Sequence, residues 1–185
     1  MNARQLVLLA ALACGAAWWV ALRPDPVARQ ATASTTGCPL PPQVASGDAP
    51  LQSGVPDGLA LPGVGDAGTT PLAGFSIEAR VLGREDYRFD READYAPTDL
   101  ALGWGRMSED AVVARLDITQ SGRWYRYRWQ GDPPIPLAEI VRSSANMHMV
   151  PANNAVAADL ARVGEGDRVR VDGWLVQVNA PDGWR

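Results

Sequence analysis

The stretch Arg123-Trp124-Tyr125-Arg126-Tyr127-Arg128-Trp129 decides the architecture. Aromatic residues recur at alternate positions, so Tyr125, Tyr127 and Trp129 share one face of an extended chain, with Trp124, Arg126 and Arg128 on the other. A helix would scatter both sets around its circumference, so the pattern predicts a half-buried strand. The first face supplies core. The second sets cations beside an indole, a combination that either stacks on bases or sugars and neutralises phosphate, or covers the sheet and pairs with acids. Gln120-Ser121-Gly122 announces the turn that precedes the strand.

The flanking sequence repeats the strand signal. Phe75-Ser76-Ile77-Glu78-Ala79-Arg80-Val81 alternates apolar and polar side chains. The charged stretch from Arg84 to Asp94 follows, with Tyr87 and Phe89 either continuing a strand or pinning a loop. Ser108 before Glu109-Asp110-Ala111 predicts an N-cap and a short helix to about Leu116. Pro133-Pro134-Ile135-Pro136 is extended or turning, and Pro136 can start a helix carrying Leu137, Ile140 and Val141. Asn153 or Asn154 can cap another helix, in which Val156, Leu160 and Val163 share a face and Gly164 ends it. Asp167 to Val178 reads as a hairpin turning at Asp172-Gly173, or as one strand bent there by a bulge. Residues 73–185, which hold five of the seven Trp, are therefore expected to form a strand-rich α+β domain. A small sheet or an OB-like barrel with two or three short helices fits that pattern.

Residues 24–72 differ in composition. They contain nine of the fifteen Pro, seven Gly and no aromatic residue, which predicts a disordered Pro/Gly/Ala-rich tether. As a flexible coil this segment would span about 40 Å. Before it, Leu6 to Leu22 carry no charge and are almost wholly apolar. At 1.5 Å per residue that run covers about 25 Å, enough to cross a bilayer with slight thinning. Trp18 and Trp19 at its far end fit an interfacial exit. Residues 1–23 are thus expected to be an uncleaved signal anchor, a single transmembrane helix in a bacterial inner membrane with the remaining chain periplasmic. The alternatives are cleavage within Ala11 to Ala17, giving a secreted protein, and lipidation at Cys14.

Composition removes chemistry. The 185 residues carry a net charge of −4, with two Cys, one His and only Arg as basic residues. A disulfide framework and a Cys/His zinc site are excluded, and no cofactor is expected. The expected domain has 14 Arg against 17 acids, so no basic field draws nucleic acid. Cys38 is either a passive thiol or the donor of an intermolecular disulfide.

Two stretches carry resemblances. Gly166-Asp167-Arg168-Val169-Arg170-Val171-Asp172-Gly173-Trp174-Leu175-Val176 resembles a run common in small barrels, OB-folds included. Asp99 to Gly105, Gln120 to Tyr125 and Ser144-Ala145-Asn146-Met147-His148-Met149-Val150-Pro151-Ala152 resemble an uncharacterised family of small bacterial envelope proteins. That resemblance implies location and fold kinship and supplies no catalytic residues. Such proteins continue past the equivalent of Trp184 with a closing strand, which makes a C-terminal truncation of this chain an expectation.

The candidate chemistry centres on His148. With Met147 and Met149 it offers soft ligands of the kind Cu(I) prefers, yet on a strand the two Met would point away from the His. As a general base, His148 would need a hydroxyl such as Ser143 or Ser144 and a carboxylate such as Asp99 or Asp117. Asp90-Arg91-Glu92-Ala93-Asp94 spaces acids like a calcium loop, but Tyr95 and Ala101 stand where that loop needs Gly and Glu. Carboxylates are numerous enough for a glycosidase pair, without a spacing that selects one. The sequence is therefore expected to encode a membrane-tethered binding or assembly module of the envelope. It would be held to the inner membrane by residues 6–22 and contact an envelope protein or polymer through Trp124, Arg126 and Arg128. The alternative is a periplasmic hydrolase using His148.

Overall fold

The computed structural model describes residues 38–185; the expected anchor and residues 24–37 lie outside the described residues. Seven strands form two antiparallel sheets: β1 (Leu51–Ser53), β2 (Gly68–Asp86), β3 (Thr98–Gly103), β4 (Asp117–Ser121), β5 (Trp124–Arg128), β6 (Ser144–Met149) and β7 (Arg168–Asn179). Three short helices accompany them: α1 (Asp110–Val113), α2 (Leu137–Arg142) and α3 (Asn154–Arg162). Among the described residues no helix is long and apolar enough to cross a membrane.

β2 is the spine. Ser76 is registered with both Leu51 of β1 and Asp172 of β7, and Arg80 with both Gly103 of β3 and Arg168 of β7. β1 and β3 therefore share one edge of β2 in succession, and β7 occupies the other. β6 extends the sheet beyond β3. β6 and β7 do not pair with each other among the described residues, so this is an open sheet, not a closed barrel. Asp172-Gly173 makes no hairpin: β7 runs straight through it, because Gly173 pairs with Phe75 and the Asp172 carboxylate accepts a 2.5 Å hydrogen bond from Ser76.

Both faces of this sheet are covered, which is why every residue of β3 is buried. On one face Ile77, Val81, Leu100 and Leu102 pack with Ala157 and Leu160 of α3. On the other, Leu82 and Ala101 pack with Met107, Val112, Ile135 and Ile140, joined by Ile118, Tyr125 and Tyr127 of the separate β4–β5 hairpin. The alternation read in Arg123 to Trp129 holds: Tyr125 and Tyr127 turn inward while Trp124, Arg126 and Arg128 are exposed.

The helices follow their caps. Asn153 Oδ1 accepts from the Val156 amide at 3.0 Å and starts α3, although Val156 itself is exposed and Ala157 takes the buried position. Ser108 is not the cap expected of it: its hydroxyl donates to the Gly105 carbonyl within a 3-10 turn, so α1 begins after Glu109 and lasts four residues.

The folded unit also starts well before residue 73. Residues 38–72, expected as tether, lie against the sheet. Their lack of aromatic side chains is offset by the partners they meet. Trp174 Nε1 donates to the Pro39 carbonyl at 2.7 Å, and Arg170 Nη2 to the Val44 carbonyl at 2.8 Å. The Val44 amide donates to Ser76 Oγ at 2.8 Å, and Val44 is buried. Gly74 permits the crossing, since a Cβ there would stand 2.7 Å from Pro41 Cβ. At the C-terminal end Trp184 stacks on Tyr95 at 5.6 Å, with the Ala180 amide donating to the Trp184 carbonyl at 2.9 Å.

A chain begun at residue 73 lacks β1, the first five residues of β2 and the cover over Ser76 and Trp174. It is expected to unfold at clearly lower urea than one begun at residue 38, with Trp174 newly accessible to acrylamide quenching. Equal midpoints would show that residues 38–72 contribute nothing.

Candidate functional site

The β3–β6 register brings Asp99 opposite His148 and Ala101 opposite Asn146, all on the face that receives the β4–β5 hairpin. Asp99 is completely buried, so its carboxylate must be fully compensated. Its Oδ1 accepts from Arg123 Nη1 at 3.0 Å and meets His148 Nδ1 at 2.8 Å; its Oδ2 accepts from Asn146 Nδ2 at 3.0 Å.

Arg123 comes from the two-residue turn between β4 and β5. Both Gly122 and Arg123 have positive φ, 57° and 69°, as a tight primed hairpin turn requires. An arginine there is strained by about 1–2 kcal/mol. The strain is offset by the partners that the conformation provides. The guanidinium lies 3.9 Å over the Tyr87 ring, donates to the Ala96 carbonyl at 2.6 Å and pairs with Asp90 at 2.6 Å and Glu92 at 3.4 Å. The Arg123 amide donates to Tyr87 Oη at 2.9 Å, and its carbonyl accepts from Asn146 Nδ2 at 3.1 Å. Gln120 Nε2 completes the set by donating to Asn146 Oδ1 at 2.9 Å. The hairpin is thereby bolted to β3, β6 and the 87–96 loop. Asp90 to Asp94, the calcium-loop candidate, is a 3-10 turn capped by Asp90, with Asp90 and Glu92 facing Arg123.

His148 is half exposed. Its hydrogen bond to Asp99 holds its pKa above the ordinary value; partial burial and Arg123 oppose that, and Glu92 assists it. When neutral, with Nδ1–H donated to Asp99, the ring keeps an Nε2 lone pair, the tautomer a general base needs.

Asp99 and His148 are thus brought together, and the other hydrolase candidates are not. Ser144 lies opposite Gly103, its hydroxyl donating to the Ile140 carbonyl at 2.7 Å and lying 2.5 Å from Tyr125 Oη. Ser143 is the C-cap of α2, and Asp117 pairs with Arg128. Met147 and Met149 pack into the α3-side core, on the opposite face from His148, so the three copper candidates do not converge.

The binding candidates on β5 also separate. Trp124 stands in solvent at the hairpin tip, as does Phe89 in the neighbouring loop, 69% and 97% exposed. Arg126 Nη1 donates to Ser121 Oγ at 3.1 Å. Arg128 lies at the root of the hairpin, where it pairs with Asp117 at 3.2 Å. Sequence reasoning missed Arg123 as the organiser. The available signal was Gly122-Arg123 between two alternating segments, a turn that aims one long cation back across the hairpin.

Comparison with known proteins yields no matching family model, no matching curated protein and no matching solved structure.

Arg123→Ala strands the Asp99 carboxylate with His148 and Asn146 and is expected to cost about 3–5 kcal/mol in urea denaturation. Because His148 has its pKa raised in the fold, its pairing contributes fully below about pH 6.5 and is lost as pH rises through the folded value. Stability should therefore fall on that alkaline side, and more steeply in Arg123→Ala, where His148 is the sole cation on Asp99. His148→Gln should flatten the profile; an unchanged profile would dissociate His148 from the cluster.

Proposed function

We propose that the protein is a membrane-tethered, extracytoplasmic binding or assembly module of the bacterial envelope, with the β4–β5 hairpin as its contact element. The observation that carries the reading is the state of this hairpin. Among the described residues it is hydrogen-bonded as strands to no other sheet, its inner face is fixed by Tyr125, Tyr127 and the Arg123–Asp99 bond, and its outer face leaves Trp124, Arg126 and Arg128 to solvent. A rigid aromatic-cationic surface loses little entropy on binding. The apolar run Leu6 to Leu22 and the resemblance to envelope proteins support the location.

The Asp99–His148 pair favours a second reading, a hydrolase in which Asp99 orients His148 as base. Its hydroxyl candidate, Ser144, is committed to the Ile140 carbonyl. The binding reading is therefore preferred.

Crosslinking of full-length protein in whole envelopes is expected to capture a partner that Arg126→Ala with Arg128→Ala loses and His148→Ala keeps. A periplasm-specific reporter fused after Arg185 should be active. A partner set indifferent to the arginines, or a reporter active only inside the cell, contradicts the proposal.

A further inference from the structure

Where the chain enters and leaves the hairpin, the structure holds an open groove of about 670 Å³, lined by Arg115, Leu116, Asp117, Arg128, Trp129 and Gln130. Its volume falls within the range of small-ligand sites, about 300–1,000 Å³. Trp129 is half buried and stacks on Tyr127 at 6.2 Å and 19°, and Tyr127 in turn meets Tyr125 at 5.7 Å. The indole is thus held in a fixed orientation by an aromatic ladder rooted in the core. Around it stand planar polar groups of both kinds. Asp117 only accepts, Arg115 and Arg128 only donate, and Gln130 does both. Arg115 is positioned by donating to the Asp132 carbonyl at 2.9 Å.

This chemistry discriminates among ligands. A phosphate or nucleotide needs several converging cations. Arg128 is already matched by Asp117 at 3.2 Å, and Arg115, the one guanidinium of the groove that pairs with no carboxylate among the described residues, is turned to the Asp132 carbonyl. The chain as a whole is also acidic. An apolar ligand would strip water from that ion pair and return no hydrogen bonds. A sugar ring meets both demands. Its C–H face lies on an indole, and each hydroxyl donates and accepts at once, so it can bridge carboxylate, guanidinium and amide in place of water.

We propose that the groove is a saccharide site that takes an uncharged pyranose oligomer, one ring on Trp129 and its hydroxyls on Asp117, Arg128 and Gln130. The assignment rests on the envelope-binding reading above and specifies its ligand class. It also reassigns the aromatic partner of Arg128 from Trp124, at the hairpin tip, to Trp129, at the root.

The test uses full-length protein in detergent micelles with a β-1,4-linked N-acetylglucosamine trisaccharide as probe, read by saturation-transfer NMR and titration calorimetry. Saturable binding is expected, with sugar ring protons receiving saturation from aromatic protons. Asp117→Asn and Arg128→Gln, both on exposed side chains, should each weaken it about tenfold with no change in urea midpoint. Trp129→Ala should abolish the transfer, while Arg162→Gln, exposed on α3 across the sheet from the hairpin, should match the parent. Absence of saturable binding at millimolar sugar, or binding indifferent to Asp117, Arg128 and Trp129, overturns the saccharide assignment. Envelope crosslinking with the same variants then separates the two levels. A captured protein lost with Asp117→Asn overturns the sugar and keeps the binding module, and absence of both saturable sugar binding and a captured partner overturns both.

Discussion

A carboxylate with no exposure to water cannot remain charged in a protein interior without close compensation, and Asp99 is such a group. The placement of the β4–β5 hairpin on the sheet follows from how that requirement is met. The cation comes from the turn of a separate hairpin, the amide from β6, and the imidazole from the same strand two residues on. One buried charge therefore ties the turn of the separate β4–β5 hairpin to the paired strands β3 and β6. Surface ion pairs such as Arg128–Asp117 contribute little to stability by comparison, because water already screens them.

The division of labour across the sheet explains why the hairpin is free to work as a contact element. α3 covers one face with Ala157 and Leu160, and the hairpin, α1 and α2 cover the other. The inward tyrosines of β5 are structural, and the outward positions carry none of the core. The hairpin can therefore present Trp124 at its tip and Trp129 at its root without exposing the packed interior. Bolting it through Arg123 places these two aromatic ends at a fixed separation, which a loop could not do.

Much of this was legible in the sequence, for local reasons. Period-two alternation in Arg123 to Trp129 fixed which side chains face inward, because side-chain direction in a strand depends on parity alone. Asn153 announced α3 through its own cap bond. Three features were not legible. Ser108 has the right identity for a cap, but Gly105 competed for its hydroxyl. Residues 38–72 lack large apolar side chains, yet dock because Trp174, Arg170 and Ser76, which follow them in the chain, come to them. In the candidate site, Asp99 and His148 were readable as partners in chemistry. Arg123 was read as the first residue of a strand, since its role depends on a positive φ and on a carboxylate 24 positions away.

The anchoring of the hairpin rests most directly on the coupling between Asp99 and Arg123. A double-mutant cycle of Asp99→Ala and Arg123→Ala, with unfolding free energies from urea titration at pH 7, measures it. A bond that anchors the hairpin to the sheet predicts a coupling of about 1–3 kcal/mol, the double variant being less destabilised than the two singles together. Additivity within about 0.5 kcal/mol would mean that the two groups act independently and that something else holds the contact element in place.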